Sequence, residues 1–501
     1  MEWIRVRIDG AGGAAVDEAQ IKTLYASGMD FEPDERRLRI LSDGVAELAV
    51  TRKPYMLHAK LRLPMYGVIW VMAHNFGQGY DGDFVDFVSE AIRTYIYEAK
   101  ERSKDITLSA EAQGHLDAAV EYEHLANRGN DTGESRLYAL SHAVYAAEAA
   151  LFEAAREKAY KNPRSDLRLG CNFFRYTSPG ARYAKYFKQV FDFATLPFYP
   201  DSTAPEKGKY SYDNIDNALE FLQSANITPK GHPLWFGHGS VNPKWLFNLP
   251  FDELKRNARE IAGHHVAAYK GRIEIWDSMN EAHDWANCFE LTQDQLIDLT
   301  KTCCDALREA NAEATSIVNI CLPFAEYVAG RYNCYGALPE HLNSPRAYIA
   351  SLLEKGVDFD VVGVQLYFPA RDMVAVARVL DVFKAFGKSV HITEMGVNGG
   401  LRGRGGTQGG SAQGGGGGWA GQQLSMSEGI WHNVWNEQTQ ADWMEQFYTL
   451  CAAREEVKAL TWWDFIEPSF SGNGAILYED ETPREIFFRL GALKRRIVGE
   501  R

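Results

Sequence analysis

Period-two alternation opens the chain. Ile4, Val6 and Ile8 interleave with Arg5 and Arg7, the pattern of a strand with one covered face. Leu57, Ala59, Leu61 and Leu63 repeat it, and the apolar run 68–72 predicts a strand covered on both faces. From Asp83 the period changes, and Phe84, Phe87, Val88, Ala91, Ile92 and Tyr95 fall on one helical stripe. A second long helix, rich in alanine, is predicted over about 135–161, after a loop at 127–133 and before the break at Asn162-Pro163. These changes of period divide the chain into a β-rich module at 1–80, a helical segment at 81–165 and a third part at 166–501.

In that third part strands and helices alternate. Candidate strands lie at 167–173, 190–196, 228–236, 272–279, 316–321, 359–367, 389–393 and 459–464. Helical stripes fill the gaps, such as Ile215, Ala218, Leu219 and Leu222. Thr292 and Gln295 have capping-box spacing, and Ser344-Pro345 reads as an N-cap followed by proline in the first turn. Eight strand–helix units predict an α/β fold, a (β/α)8 barrel preceded by the β-rich module and the helical segment. Such a barrel collects its chemistry at the C-terminal ends of the strands. Two acidic residues fall at such ends: Glu281, after Trp276-Asp277-Ser278-Met279-Asn280, and Glu394, after His391-Ile392-Thr393. A retaining glycoside hydrolase needs this pair, one carboxyl holding a proton and the other ionised as nucleophile.

Composition narrows the partners. The chain has 501 residues, 46% hydrophobic and 24% charged, ordinary for a globular protein. A formal net charge of −14 argues against nucleic acid, which requires a basic face. No apolar run reaches the ~20 residues of a membrane span. The opening residues show no basic stretch followed by an apolar one, so a cytoplasmic protein is expected, or a secreted one should a leader have been trimmed. Seven cysteines without CxxC spacing predict reduced, mostly buried thiols rather than a zinc site. No metal or organic cofactor is expected, and the oligomeric state is left open. The glycine-dominated stretch 399–418 reads either as a mobile insertion or as a lid with Trp419 at its base.

The order of motifs resembles glycoside hydrolase family 10, known mainly for endo-β-1,4-xylanases. Lys230-Gly231-His232-Pro233-Leu234 is similar to the family's strand-three Arg-Gly-His-Thr-Leu. Trp276-Asp277-x-x-Asn280-Glu281-Ala282 resembles its acid/base motif, Val362-Gly363-Val364-Gln365 its strand-six motif and Ile392-Thr393-Glu394 its nucleophile motif. Thr461-Trp462-Trp463 resembles strand eight, and the stretch 474–483 the closing segment. The resemblance implies Glu394 as nucleophile and Glu281 as acid/base. It implies Asn280 on the sugar 2-hydroxyl, His232 and Gln365 as polar contacts to the glycone, and Trp463 as the floor of the sugar site.

Departures from the family bear on specificity. The family's polar residues after strand two, which bind the next sugar out, give way to Pro197 and Phe198, which offer no side-chain hydrogen bond. On strand three the expected histidine is displaced to His238. On strand six Tyr367 replaces a histidine, and its hydroxyl could still orient Glu394. On strand eight Asp464 and Glu467 replace glycine and aspartate, and Phe470 replaces a tryptophan. His283 is read as a loop residue able to tune Glu281. Three functions stay open: hydrolysis of β-1,4-xylan or xylo-oligosaccharides, the same chemistry on another β-linked glycan, and carbohydrate binding on an inactivated scaffold. The module at 1–80 is either a carbohydrate-binding domain or a structural module packed on the barrel through the two long helices.

Overall fold

The structure is a computed structural model that describes residues 1–8, 18–41, 44–127, 134–176, 182–283, 286–330, 343–367, 370–399, 430–469 and 473–499. Eight parallel strands close into a barrel: β1 (Arg168–Asn172), β2 (Phe193–Pro197), β3 (Thr228–His232), β4 (Ile275–Asn280), β5 (Thr315–Ile320), β6 (Val361–Tyr367), β7 (Ser389–Gly396) and β8 (Val457–Trp462). They follow chain order around the ring, and β8 pairs with β1 to shut it. Their residues are buried almost throughout, as expected of strands covered on both faces. The connecting helices start where the sequence supplies caps. Thr292 and Gln295 form the reciprocal capping box of helix Gln293–Ala310, and the Ser344 side chain accepts from Ala347 N–H at the head of Pro345–Glu354.

Trp276 shows how the barrel meets its outer layer. It points outward from β4, fully buried, and packs edge-on against Phe198 at 4.8 Å between ring centroids. Its ring lies over Gly231, its register partner on β3. A Cβ on residue 231 would stand 2.1 Å from Trp276 Cε3, so only a glycine admits the indole here. Phe198 therefore belongs to the strand–helix core, with Tyr269 beside it at 5.2 Å, rather than to a sugar-facing position.

The residues before the barrel build two small sheets and three long helices. One sheet has the order Leu38–Ile40, Val45–Val50, Glu2–Arg7, Phe84–Asp86; the other has Tyr25–Ser27, Met56–Leu63, Gly67–Ala73. Helix Glu134–Lys161 packs against Phe87–Arg102, Ala110–Asn127 and the barrel helices Glu437–Ala452 and Met373–Lys384. The apolar core runs without a break from these elements into the barrel. Among the described residues no helix is long and apolar enough to cross a membrane. Cys171, Cys303, Cys304, Cys321 and Cys451 are buried free thiols and Cys288 is half-buried, while Cys334 lies outside the described residues.

Two expectations need correction, and one helix was not read. Phe84 is not on the helical stripe but on a short strand, 53% exposed; the helix starts at Phe87, where the Asp86 side chain caps Ser89 N–H. The stretch from 190 is not all strand. Tyr183, Ala184, Phe187 and Val190 are the buried stripe of helix Arg182–Val190, and β2 begins only at Phe193. Helix Ala110–Asn127 went unread because its buried positions are mostly small, Ala112, Leu116 and Ala119, and give a faint stripe.

Gly231→Ala should lose ~1–3 kcal/mol, the usual cost of overpacking a filled core. Equilibrium denaturant titration measures this; an unchanged midpoint would mean that the indole moves aside freely.

Candidate active site

The site is assembled by irregularities at the strand ends. β4 shifts register against β5 between Asp277 and Met279, and β6 against β7 between Val364 and Gln365. Such bulges re-aim the side chains that follow. Beyond Asn280 the backbone of Glu281 turns into the left-handed region at φ 53°, with its N–H held by Asn319 O at 2.9 Å. That conformation is uncommon for a residue with a side chain and is tolerated where the surroundings enforce it.

Glu281 and Glu394 meet across the mouth of the barrel, 7% and 5% exposed. One amide joins them: Gln365 Nε2 donates to Glu281 Oε1 at 2.7 Å and to Glu394 Oε1 at 3.1 Å. The two acceptor oxygens can be no farther apart than those two lengths laid end to end. Glu394 Oε1 also accepts from Asn319 Nδ2 at 3.1 Å, and Oε2 accepts from Tyr367 OH at 2.8 Å. His232 Nε2 stands 3.9 Å from Glu394 Oε1. Glu281 Oε2, by contrast, has no hydrogen-bond partner among the described residues.

Behind His232 is a buried hydrogen-bonded cluster. Asp277 Oδ2 accepts from His232 Nδ1 and from Lys230 Nζ, both at 2.6 Å, with all three side chains inside the barrel. The bond to Asp277 fixes the ring, so that Nε2 faces Glu394. Burial raises Asp277, but the Lys230 charge and the His232 hydrogen bond outweigh it and hold the carboxyl below its ordinary range.

The two glutamates differ in electrostatics. Burial, then the negative charge of Glu394, pushes Glu281 up to about 8. Glu394 is also raised by burial, but His232, the Tyr367 hydroxyl and Lys230 pull it back. Glu281 is therefore the group set up to hold a proton. Gln365 donates to its Oε1, while Asn280 also lies within reach of the carboxyl and lowers it slightly.

The expected residues come together. Gln365 and Tyr367 touch the carboxyls directly, and His232 lies beside Glu394. Asn280 is linked through Asn319, whose Nδ2 donates to Asn280 Oδ1 at 2.6 Å. Trp463 packs edge-on against His232 at 5.6 Å and against Phe174 at 5.3 Å. Tyr199 stands across from it, 5.8 Å from His232 and 6.0 Å from Phe174.

Sequence reading missed Asn319, Lys230 and Asp277 as parts of the site, and Phe174 and Tyr199 as its aromatic wall. Asn319 had a signal, a lone amide in the apolar strand 315–320. Its reach depends on Gly363. A Cβ there would sit 2.8 Å from Asn319 Oδ1 and 2.8 Å from Thr393 Cγ2, so the bare glycine on β6 lets Asn319 on β5 bond Thr393 on β7. Three other residues that depart from the family or follow the acid/base motif make local structural contacts. His238 bonds Ser240 beside Phe236. Glu467 accepts from Ser469 and Ala475 N–H and pairs with Arg484, closing a loop. His283 is a buried structural ring between Tyr327 OH and Cys321 N–H, kept neutral because burial lowers it to about 3. Trp419, Phe470 and residues 400–418 lie outside the described residues.

The match to a known family begins just after β1 of the barrel. Residues 177–484, more than half of the chain, match the model of "Glycosyl hydrolase family 10". Endo-1,4-beta-xylanase B of Thermotoga neapolitana is 24% identical over 318 residues, 60% of this chain and 79% of that protein. Endo-1,4-beta-xylanase B of Neocallimastix patriciarum is 23% identical over 199 residues, 38% of this chain and only 22% of that protein. The crystal structure of native xylanase 10B from Thermotoga maritima superposes with a TM-score of 0.50 at 21% identity, covering 70% of this chain and 99% of that one.

Burial of Glu281 makes stability depend on pH. Its folded value, about 8, lies above the ordinary 4.5, so the folded chain holds the proton more tightly than the unfolded one. The contribution is fully present below 4.5 and is lost as pH rises through about 8. Glu281→Gln should then gain on the order of a few degrees in Tm at pH 9 and nothing at pH 4. Thermal unfolding at the two pH values decides; an equal gain at both would assign the effect to something other than ionisation.

Proposed function

The chain belongs to glycosyl hydrolase family 10 and is a glycoside hydrolase; we propose that it cleaves β-1,4-xylan or xylo-oligosaccharides by double displacement. The observation that carries this reading is the amide of Gln365 shared between two buried carboxyl groups. That separation favours a retaining pair, spaced about 5–5.5 Å, over an inverting pair at about 6.5–9.5 Å with room for a water between. In this reading Glu394 attacks the anomeric carbon while Glu281 delivers its proton to the departing oxygen. Tyr367 occupies one lone pair of Glu394 Oε2 and leaves the other to form the bond.

The second half follows from the same electrostatics. Once Glu394 is esterified to the sugar its charge is gone. One of the two influences that raise Glu281 disappears with it. The pKa of Glu281 falls, and the residue becomes the base that takes a proton from the incoming water. Asn280, held by Asn319, is offered to the sugar 2-hydroxyl, where a hydrogen bond strengthens as charge develops on the ring. His232, Gln365 and Trp463 bound the glycone side.

A second reading has an observation of its own. Phe174, Tyr199 and Trp463 enclose His232 on the glycone side, where the family offers polar groups to the next sugar out. Such a wall favours a β-linked glycan that is short or presents an apolar face there. A panel of aryl β-glycosides and β-linked polysaccharides ranks the two readings by kcat/KM.

Glu281→Ala should lower turnover of substrates with poor leaving groups about 10²–10⁴-fold, the scale of general acid–base catalysis. Glu394→Ala should lose turnover by orders of magnitude on every substrate. Azide should restore it with an inverted glycosyl azide as product, and should give a retained azide with Glu281→Ala. Full activity in either variant would remove the assignment. The pH profile offers an independent check. kcat/KM should fall on the alkaline side as pH passes about 8, where Glu281 loses its proton, and that limb should vanish in Glu281→Ala assayed on an activated aryl glycoside.

A further inference from the structure

Tyr367 fixes Glu394 from the tip of β6, and a few positions further on residues 370–373 are gripped from outside the barrel. Residues 370–373 lead into helix Met373–Lys384. Each of these four consecutive residues is bonded to a different residue of the first 165. Trp70 N–H donates to Ala370 O at 2.8 Å. Arg371 donates Nη2 to Tyr25 OH at 2.9 Å and lies over the Trp70 ring. Tyr95 OH donates to Asp372 Oδ2 at 2.6 Å, and Met373 N–H donates to Glu148 Oε1 at 2.7 Å.

These bonds are buried and mostly involve charged groups, which makes them strong and directional. Arg371 is 3% exposed and Asp372 and Glu148 are fully buried. Arg371 also joins a third segment, pairing with Glu326 at 2.9 Å and covering the Phe324 ring, both from the loop after β5. That loop is held in turn by Arg36 N–H on Ala329 O at 3.1 Å and by Phe31 against Phe324 at 5.8 Å. Glu148 reaches a further loop through His432 at 2.8 Å. Of the aromatic side chains in this region, Tyr25, Tyr66, Trp70 and Tyr95 are buried, while Phe76 and Phe84 are exposed.

We propose that the region before the barrel is a positioning element of the catalytic site: it clamps residues 370–373 and thereby sets the Tyr367 hydroxyl against Glu394, with Arg371 as the principal positioning residue. The proposal rests on Glu394 being the nucleophile. It explains why residues with no access to the barrel mouth carry so many buried polar side chains. A mobile β6 tip would let Tyr367 swing, and Glu394 would lose the hydrogen bond that favours its ionised form.

The test is a double-mutant cycle on the full chain, using 2,4-dinitrophenyl β-xylobioside, with Arg371→Met and Tyr95→Phe each combined with Tyr367→Phe. Arg371→Met should lower kcat about tenfold, the loss of one hydrogen bond to a charged group, with KM changed less than about twofold and the acid limb of kcat/KM moved upward. Added to Tyr367→Phe it should cause no further loss, because both act on one bond. Tyr95→Phe, which preserves shape, should give a weaker version of the same pattern and carries the test if Arg371→Met does not fold. Losses that multiply with Tyr367→Phe, or folded variants with unchanged kcat, would overturn the proposal. If Tyr367→Phe slows turnover while Arg371→Met and Tyr95→Phe do not, only this inference fails. Unimpaired Tyr367→Phe and Glu394→Ala would remove the catalytic reading as well.

Discussion

Two carboxyl groups within reach of one amide, both shut away from bulk solvent, cannot share the same charge state without penalty. At an effective dielectric of about 20 and a spacing of about 5 Å their mutual repulsion is roughly 3 kcal/mol, or about two pKa units. Burial adds to this for both. Which group keeps its proton is decided by the neighbours. Glu394 has Asn319, Gln365 and Tyr367 as donors and the imidazole of His232 nearby, whereas among the described residues Glu281 is met only by the Gln365 amide and, more weakly, by Asn280. The asymmetry of the site is thus an asymmetry of donors, imposed on two otherwise equal side chains.

The rest of the barrel serves to hold those donors still. Lys230 and Asp277 have no reason to be inside a barrel except each other and His232, and the three together form a compensated buried group. Removing one member would leave a buried charge without a partner, which is far worse than removing all. Gly363 provides the opposite service by offering nothing. The missing side chain on β6 lets Asn319 span from β5 to Thr393 and Glu394 on β7 while also holding Asn280. One amide on one strand therefore ties together the tips of β4 and β7, where the two carboxyls sit.

The barrel was legible in the sequence because eight buried parallel strands write near-continuous apolar runs with helical stripes between them. The carboxyl pair was legible because its short motifs resemble a known family at both strand ends. Cross-strand partners were not. Asn319 and Asp277 act through groups on other strands, and nothing local distinguishes them from satisfied core polar residues. Phe198 illustrates the reverse error. Its position after β2 suggested the sugar cleft, but a residue one step along an extended segment faces the opposite side, and Phe198 packs on Trp276 while Tyr199 faces His232. The missed helix Ala110–Asn127 has the same kind of cause, since alanine buries well yet marks a stripe poorly.

The region ahead of the barrel looks dispensable by sequence, since the family match begins only at residue 177, but its packing says otherwise. A module joined by a linker would keep its own core and meet its neighbour through a polar, partly wet surface. Here the apolar core is continuous with the barrel's, and the polar contacts inside it are buried carboxylates bonded to backbone N–H, tyrosine and histidine. Asp372 and Glu148 both meet the start of helix Met373–Lys384, one capping Ala375 N–H and the other Met373 N–H, so two unsatisfied donors of that helix are met from two sides. Taking the region away would expose that helix end, strand Arg371 without Tyr25 and open the apolar core. The barrel of this chain is closed by hydrogen bonds in the usual way, but the loops after its fifth and sixth strands are supported from outside it.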